Sequence, residues 1–482
     1  MRKFLRKAGA LILAALLLCN ALPQKAEAGY ETPGFCQVQA DNGAVYTVKT
    51  LDYDYANNTY LSLRDLAVAL QNTDKAFSLE IKRNSVSLNP GSSYQPVGGE
   101  NISWREGENP DVTLKRNDFL VGGQSVYYYS MIAKMPSGAY DCFIMAADLA
   151  MILDMKLTVP GADFLQIDTG EPFSVSPAAL ERDGYFYGVN GVLVGDVVTG
   201  EVYYRYQSDI PFPIASTSKL MTCLLTLEAV SAGQLTLEET ATVSEAAQAL
   251  SATGDGVIPL EAGAEIPVRE LLTAALLPSS NECALCLAEK LAGSEEAFVE
   301  KMNGKAAELG LSQAAFFNSN GLPIYTEESV PSKRQNRMSA EDMFRMVSYL
   351  LKVYPQIKDI TSQKTAVLET LNREVRNTNP LLHNLSVVTG LKTGTTNKAG
   401  ACLVTSLAAD DGTMEHDLVV IVLGTENSVE RGRVSELLAR YALQAFFEGR
   451  EVEDGSVNRT EGGLPAHAEA AVDLVLQTAR RR

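Results

Sequence analysis

From Tyr60 the chain reads Tyr-Leu-Ser-Leu-Arg-Asp-Leu-Ala-Val-Ala-Leu70, then alternates through Phe77-Ser-Leu-Glu-Ile81 and reaches Val86-Ser-Leu88. The cadence returns at Tyr140–Leu153, which leads to Met155-Lys-Leu-Thr-Val159. Each unit predicts a strand entering a short helix and then a strand. The polar stretch between them, roughly 89–118, is rich in Gly, Asn and Pro and predicts loop or hairpin; residues 160–185 read as a linker. From Val189 the pattern becomes Val-Asn-Gly-Val-Leu-Val-Gly-Asp-Val-Val-Thr-Gly-Glu-Val-Tyr-Tyr, two apolar strands around a Thr199-Gly200 turn. Helical periodicity dominates from Ser218 to about Leu351. Strands return at Ala401–Leu407 and His416–Leu423, joined by Asp410-Asp411-Gly412, and an amphipathic helix runs from about Val429 to Phe446. The expected class is α/β (α+β). Residues 187–447 form one unit whose two ends share a sheet, 30–165 form a smaller α+β module, and 448–482 form a loose acidic tail ending in a helix-like stretch, Ala468–Arg482.

The first 28 residues follow another logic. Arg2, Lys3, Arg6 and Lys7 precede an apolar run from Ala8 to Leu22, too short to span a bilayer comfortably, and Ala26-Glu27-Ala28 puts small residues around a cut. This is the layout of a cleaved secretory signal peptide over 1–28, with the mature protein at the extracellular face of the cell envelope. The net charge is −18, and cleavage would remove five basic residues and one acid, so the mature chain is more acidic still. That balance argues against a nucleic-acid partner and against adsorption to anionic lipid. Membrane contact is expected to be peripheral at most.

Cys36, Cys142, Cys223, Cys283, Cys286 and Cys402 are too scattered for a disulfide framework. Cys283 and Cys286 sit in an apolar helical run and read as small buried residues. With only His383, His416 and His467, and no H-E-x-x-H, no metal and no cofactor are expected.

Three polar clusters interrupt this picture. Ile214-Ala-Ser-Thr-Ser-Lys-Leu-Met-Thr222 places Ser216 and Lys219 three apart at the start of a helix whose next turns are apolar nearly all round. One reading is a serine cap followed by a lysine reaching for water. The other is a nucleophile and its base, with desolvation and a nearby cation disfavouring the ammonium form. Ser279-x-Asn281, in a break between two helical stretches, serves equally as a cap; the pattern also occurs at Ser87-Leu-Asn89 and Ser456-Val-Asn458. Gly390-Leu-Lys-Thr-Gly-Thr-Thr396 follows an apparent strand, or closes a glycine-bounded turn. S-x-x-K and K-T-G each occur once.

Order and spacing join the three clusters: 63 residues separate Ser216 from Ser279, and 113 separate Ser279 from Lys392. With the flanking Pro213-Ile-Ala, Leu277-Pro-Ser-Ser-Asn-Glu-Cys-Ala, Asn318-Ser-Asn-Gly-Leu-Pro323 and Met338-Ser-Ala-Glu-Asp-Met343, they resemble the serine-type D-alanyl-D-alanine carboxypeptidases of the penicillin-binding protein and β-lactamase superfamily. The resemblance implies a transpeptidase-like catalytic domain, an antiparallel sheet flanked by helices plus a helical subdomain. It implies Ser216 as nucleophile on the penultimate D-Ala carbonyl of peptidoglycan stem peptides, Lys219 as base, and Ser279 as proton shuttle beside Asn281 and Lys392. Lys392 and Thr393 would hold the terminal carboxylate on a strand continued by Gly394 and Thr395. The backbone N–H groups of Ser216 and Thr395 would form the oxyanion hole, and β-lactam antibiotics would acylate Ser216 covalently. Residues 30–165 resemble the copper amine oxidase N-terminal-like domain, a non-catalytic stalk module in which nothing here offers a copper site.

Other readings use the same residues. A class A-like β-lactamase needs a deacylating Glu about 36 residues after the S-x-N motif, and Gln313–Pro323 holds none. A β-lactam-sensing or wall-binding module would keep the acylating serine without turnover. Endopeptidase action on D-Ala-containing crosslinks would use the same machinery.

Overall fold

The computed structural model describes residues 32–454 except 42, 54–57, 103, 105–109, 111, 162–163, 183–184, 255 and 326–332. The expected signal peptide and the helix-like stretch 468–482 lie outside the described residues. Two compact units are present. One takes residues up to 117 with 130–153 and 157–169; the other takes 118–129, 154–156 and everything from 170.

The N-terminal unit is built on an eight-stranded sheet. Both expected strand–helix–strand cadences are there: Asn58–Ser62, Leu63–Leu70 and Phe77–Lys82, then Tyr140–Met145, Ala146–Leu153 and Lys156–Gly161. Ser62 explains the first transition. Its Oγ accepts the Asp65 N–H at 3.1 Å, capping the helix, and donates to Asp141 Oδ2 at 2.7 Å. One expectation needs correction. The stretch 160–185 is more than a linker, since Phe164–Asp168 pairs in parallel with Thr32–Gln39 and Pro177–Arg182 is helical. Just past the polar loop, in the stretch that belongs to the larger unit, Asp118–Val121 and Gln124–Val126 form a hairpin turning at Gly122-Gly123, both at positive φ.

The larger unit carries the five-stranded sheet expected from segments at its two ends. In chain order its strands are β1 (Gly191–Asp196), β2 (Val202–Tyr206), β3 (Val388–Thr396), β4 (Gly400–Asp410) and β5 (Glu415–Thr425), arranged β2-β1-β5-β4-β3 and antiparallel throughout. Leu418–Leu423 is buried without a break because helices cover both faces of β5. Between β2 and β3 lie α1 (Lys219–Ser231), α2 (Val268–Leu276), α3 (Asn281–Ala292), α4 (Glu295–Glu308) and α5 (Ala340–Val353); α6 (Ser428–Asp454) follows β5 and outruns the expected helix. Ser280, Ser294 and Ser339 cap α3, α4 and α5 through their hydroxyls. This is the mixed α+β architecture the hydropathy pattern predicts. Among the described residues no helix is long and apolar enough to cross a membrane.

Candidate active site

Ser216 does not stand in the α-helix itself. It lies in a 3₁₀ turn, Ala215–Ser218, and α1 begins at Lys219. The difference matters, because residues i and i+3 eclipse one another in a 3₁₀ turn, stacking more directly than the neighbouring i and i+3 positions of an α-helix face. Lys219 Nζ accordingly lies 2.8 Å from Ser216 Oγ. The turn is held by its own hydroxyls: Thr217 Oγ1 donates to Ile214 O at 2.6 Å and Ser218 Oγ to Ala215 O at 2.8 Å. Ala215 sits at φ +47°, and Gly321 packs so near that a Cβ there would lie 2.0 Å from Ala215 O. An alanine in that region costs on the order of 1–3 kcal/mol, which the packing around the turn offsets.

The Lys219 side chain is fully buried. Beyond Ser216, its Nζ lies 2.7 Å from Asn281 Oδ1, 2.9 Å from Asn320 O and 3.5 Å from Ser279 Oγ. Burial pulls the ammonium down to about 7, with the Glu282 charge working in the opposite direction. A neutral amine has two N–H bonds and one lone pair. Two carbonyl oxygens, which can only accept, take the N–H bonds and leave the lone pair for a hydroxyl proton. That arrangement can deprotonate Ser216.

The S-x-N segment joins α2 to α3. Capping falls to Ser280, whose Oγ accepts the Cys283 N–H at 3.1 Å, so Ser279 is left to face Lys219. Ser279 is held at φ +70°. Asn281 opens α3 beside it. Glu282, fully buried, accepts the N–H groups of Val257 and Ile258 at 3.1 and 2.5 Å and pins that loop.

K-T-G lies on β3. Lys392 is buried and donates to Thr393 O at 3.0 Å; burial, and then the Lys219 charge, push its ammonium well below the usual lysine range. Thr393 Oγ1 lies 2.6 Å from Thr378 Oγ1. Gly394 explains itself by contact. A Cβ there would meet Ser216 N at 2.8 Å and Thr217 N at 2.9 Å, so only glycine lets the strand pass the turn at this distance. The structure thus brings all eight sequence-predicted residues into one neighbourhood.

One residue was missed. Arg431, in the first turn of α6, donates through Nη1 to Thr395 Oγ1 at 3.2 Å and is 8% exposed. Its Nε has no hydrogen-bond partner, and no carboxylate lies within ion-pair distance of its guanidinium among the described residues. In sequence it is one of four arginines on that helix, and no motif separates it from Arg433, Arg440 or Arg450. Placed beside Lys392, it gives that end of the site a buried guanidinium next to a buried amine, with no carboxylate in ion-pair distance of the guanidinium among the described residues.

Residues 189–427 match the model of peptidase family S11, D-alanyl-D-alanine carboxypeptidase. Among curated proteins, D-alanyl-D-alanine carboxypeptidase DacF of Bacillus subtilis is 36% identical over 250 residues, covering 52% of this chain and 60% of that protein. A D-alanyl-D-alanine endopeptidase of Pseudomonas aeruginosa is 34% identical over 220 residues, covering 44% of this chain and 64% of its own length. The chain therefore spans less than two thirds of these relatives. Among solved structures, the peptidoglycan synthesis regulatory factor PBP3 of Streptococcus pneumoniae aligns with a TM-score of 0.49 at 30% identity, covering 53% of this chain and 71% of that one. Through residues 189–427, this chain is similar to the D-alanyl-D-alanine carboxypeptidase family.

Proposed function

We propose that the protein removes the terminal D-Ala from peptidoglycan stem peptides through a Ser216 acyl-enzyme. One observation carries the reading: a buried amine 2.8 Å from the Ser216 hydroxyl, with acceptors already in place for both of its N–H bonds. Lys219 takes the Ser216 proton as Oγ attacks the penultimate carbonyl carbon. The backbone N–H groups of Ser216 and Thr395 stabilise the oxyanion, since Gly394 holds β3 against the nucleophile's turn. Collapse breaks the C–N bond, Ser279 relays the proton to the leaving amine, and D-Ala departs. Water then hydrolyses the ester. Lys392, Thr393 and Arg431 bind the substrate's terminal carboxylate, which supplies the anion this end of the site lacks. A β-lactam acylates Ser216 by the same attack.

The N-terminal unit is a non-catalytic module of the copper amine oxidase N-terminal-like kind, all the residues named above lying in the other unit. Residues 1–28 direct export to the cell envelope.

The test is free D-Ala released on incubating the purified protein with a peptide ending in D-Ala-D-Ala. Many turnovers per enzyme support the proposal. Penicillin hydrolysis outpacing D-Ala release would make the protein a β-lactamase, and stoichiometric acylation with turnover of neither would make it a sensor.

Two further outcomes are expected. Gly394→Ala should lower kcat/KM by about 10²-fold, because a shift on the order of 1 Å between oxyanion hole and nucleophile costs that much. Overpacking should also lower stability by about 1–3 kcal/mol, read by thermal melting. Glu282→Gln removes the charge that holds the Lys219 ammonium up, so the alkaline rise of kcat/KM should move to lower pH. A midpoint that stays or climbs would contradict the assignment of that rise to Lys219.

A further inference from the structure

The compact unit that holds the site also takes in a segment remote from it in sequence, Asp118–Tyr129. Its attachment is specific. Asn384, at the end of the short helix Leu381–Asn384 just ahead of β3, uses both ends of its amide on the Tyr127 backbone. Its Oδ1 accepts the Tyr127 N–H at 2.6 Å, and its Nδ2 donates to Tyr127 O at 3.2 Å. The same Nδ2 donates to Glu436 Oε2 at 2.7 Å. The other oxygen of that buried carboxylate accepts from Tyr128 Oη at 2.8 Å and from Arg440 Nη2 at 2.9 Å. Tyr127 packs on the His383 ring at 6.2 Å and meets the Tyr129 ring edge-on at 6.0 Å.

Glu436 and Arg431 ride on one helix. The Arg431 guanidinium makes a single hydrogen bond and no ion pair among the described residues, so its aim depends on how α6 is held. The clamp holds α6 to the helix ahead of β3, the strand that carries Lys392, Thr393 and Thr395.

We propose that Asn384 and Glu436, clasping Tyr127 and Tyr128 of the remote segment, are positioning residues that keep Arg431 aimed at the substrate's terminal carboxylate. The inference rests on the carboxypeptidase reading of the site. It is tested with Asn384→Ala and with the milder Tyr128→Phe, which removes one hydroxyl. Each is assayed on a peptide ending in D-Ala-D-Ala and on the same peptide capped as its C-terminal amide. For the acid, KM should rise about tenfold in Asn384→Ala and less in Tyr128→Phe, with kcat held within about twofold. Slow turnover of the amide, which offers no anion, should match the parent. Equal losses on both peptides, a fall in kcat alone, or no change in either variant overturns the clamp and leaves the carboxypeptidase reading standing. A parent enzyme that releases no D-Ala from the acid overturns both.

Discussion

In Ser216→Ala, D-Ala release should fall by at least about 10⁴-fold, to the level of binding and oxyanion stabilisation without a nucleophile. Covalent labelling by a fluorescent penicillin should vanish with it. No neighbouring hydroxyl can substitute. Thr217 Oγ1 and Ser218 Oγ are tied to the carbonyls of Ile214 and Ala215, bonds on which the turn depends. Ser279 stands 3.5 Å from the same amine, but on the segment between α2 and α3 rather than beside the Ser216 N–H that β3 faces. The fold should survive, because the turn is held by groups other than Ser216 Oγ, and the melting temperature should stay close to the parent's. Chromatographic assay of D-Ala decides the matter: residual release above about one part in a hundred, in a variant that melts normally, would remove Ser216 from the chemistry.

Much of the fold could be read from hydropathy because its elements announce themselves locally. β4 and β5 are long apolar runs joined by an Asp-Asp-Gly turn, and α5 has a clean serine cap and an amphipathic face. The candidate site was legible for a different reason: S-x-x-K and K-T-G are short and their residues lie close together in sequence. What stayed hidden depends on contacts between distant segments. The 3₁₀ turn under Ser216 requires Gly321, more than a hundred residues away, to press on Ala215. The carbonyl of Asn320, which takes one of the Lys219 N–H bonds, belongs to that same approach. Arg431 carries no local mark, since what sets it apart is Thr395 in front of it and the absence, among the described residues, of a carboxylate in ion-pair distance. Asp118–Val121 and Gln124–Val126 are short strands beside a polar loop, and Tyr127, just after them, is held by Asn384 from far along the sequence. Hydroxyls add their own ambiguity: Ser279 and Ser280 are equivalent as letters, and only the helix start tells the cap from the free hydroxyl.

Lys219→Met should cost about 10³-fold in kcat/KM, the usual scale for losing a positioned general base, and should erase the pH dependence that identifies it. In the parent, kcat/KM should rise with pH to a plateau with a midpoint near 7, because only the neutral amine can accept the Ser216 proton and burial brings its pKa to about 7. Methionine nearly fills the lysine's volume without its charge, so what activity remains should lack that rise. Stability carries the same signature. The unfolded chain protonates this lysine below its ordinary 10.5, the folded chain only below about 7. Between those values the unfolded state holds more protons, so the stability of the parent climbs as pH rises through the window, by up to about 1.4 kcal/mol per pH unit from this one group. The variant loses that contribution and keeps whatever Lys392 supplies, so its melting temperature should fall less steeply than the parent's between pH 10 and 7. Against this, Asn281 Oδ1 and Asn320 O each lose a donor, a penalty of about 1–3 kcal/mol apiece if both stay buried and unmatched. At alkaline pH, where the parent's amine is neutral and well bonded, that penalty dominates and the variant should melt lower. Near pH 7, where the parent begins to bury a charge beside Lys392, the gap should close. Parallel melting curves across the range would mean that the Lys219 ammonium is not desolvated as its surroundings require, and the base would have to be sought elsewhere.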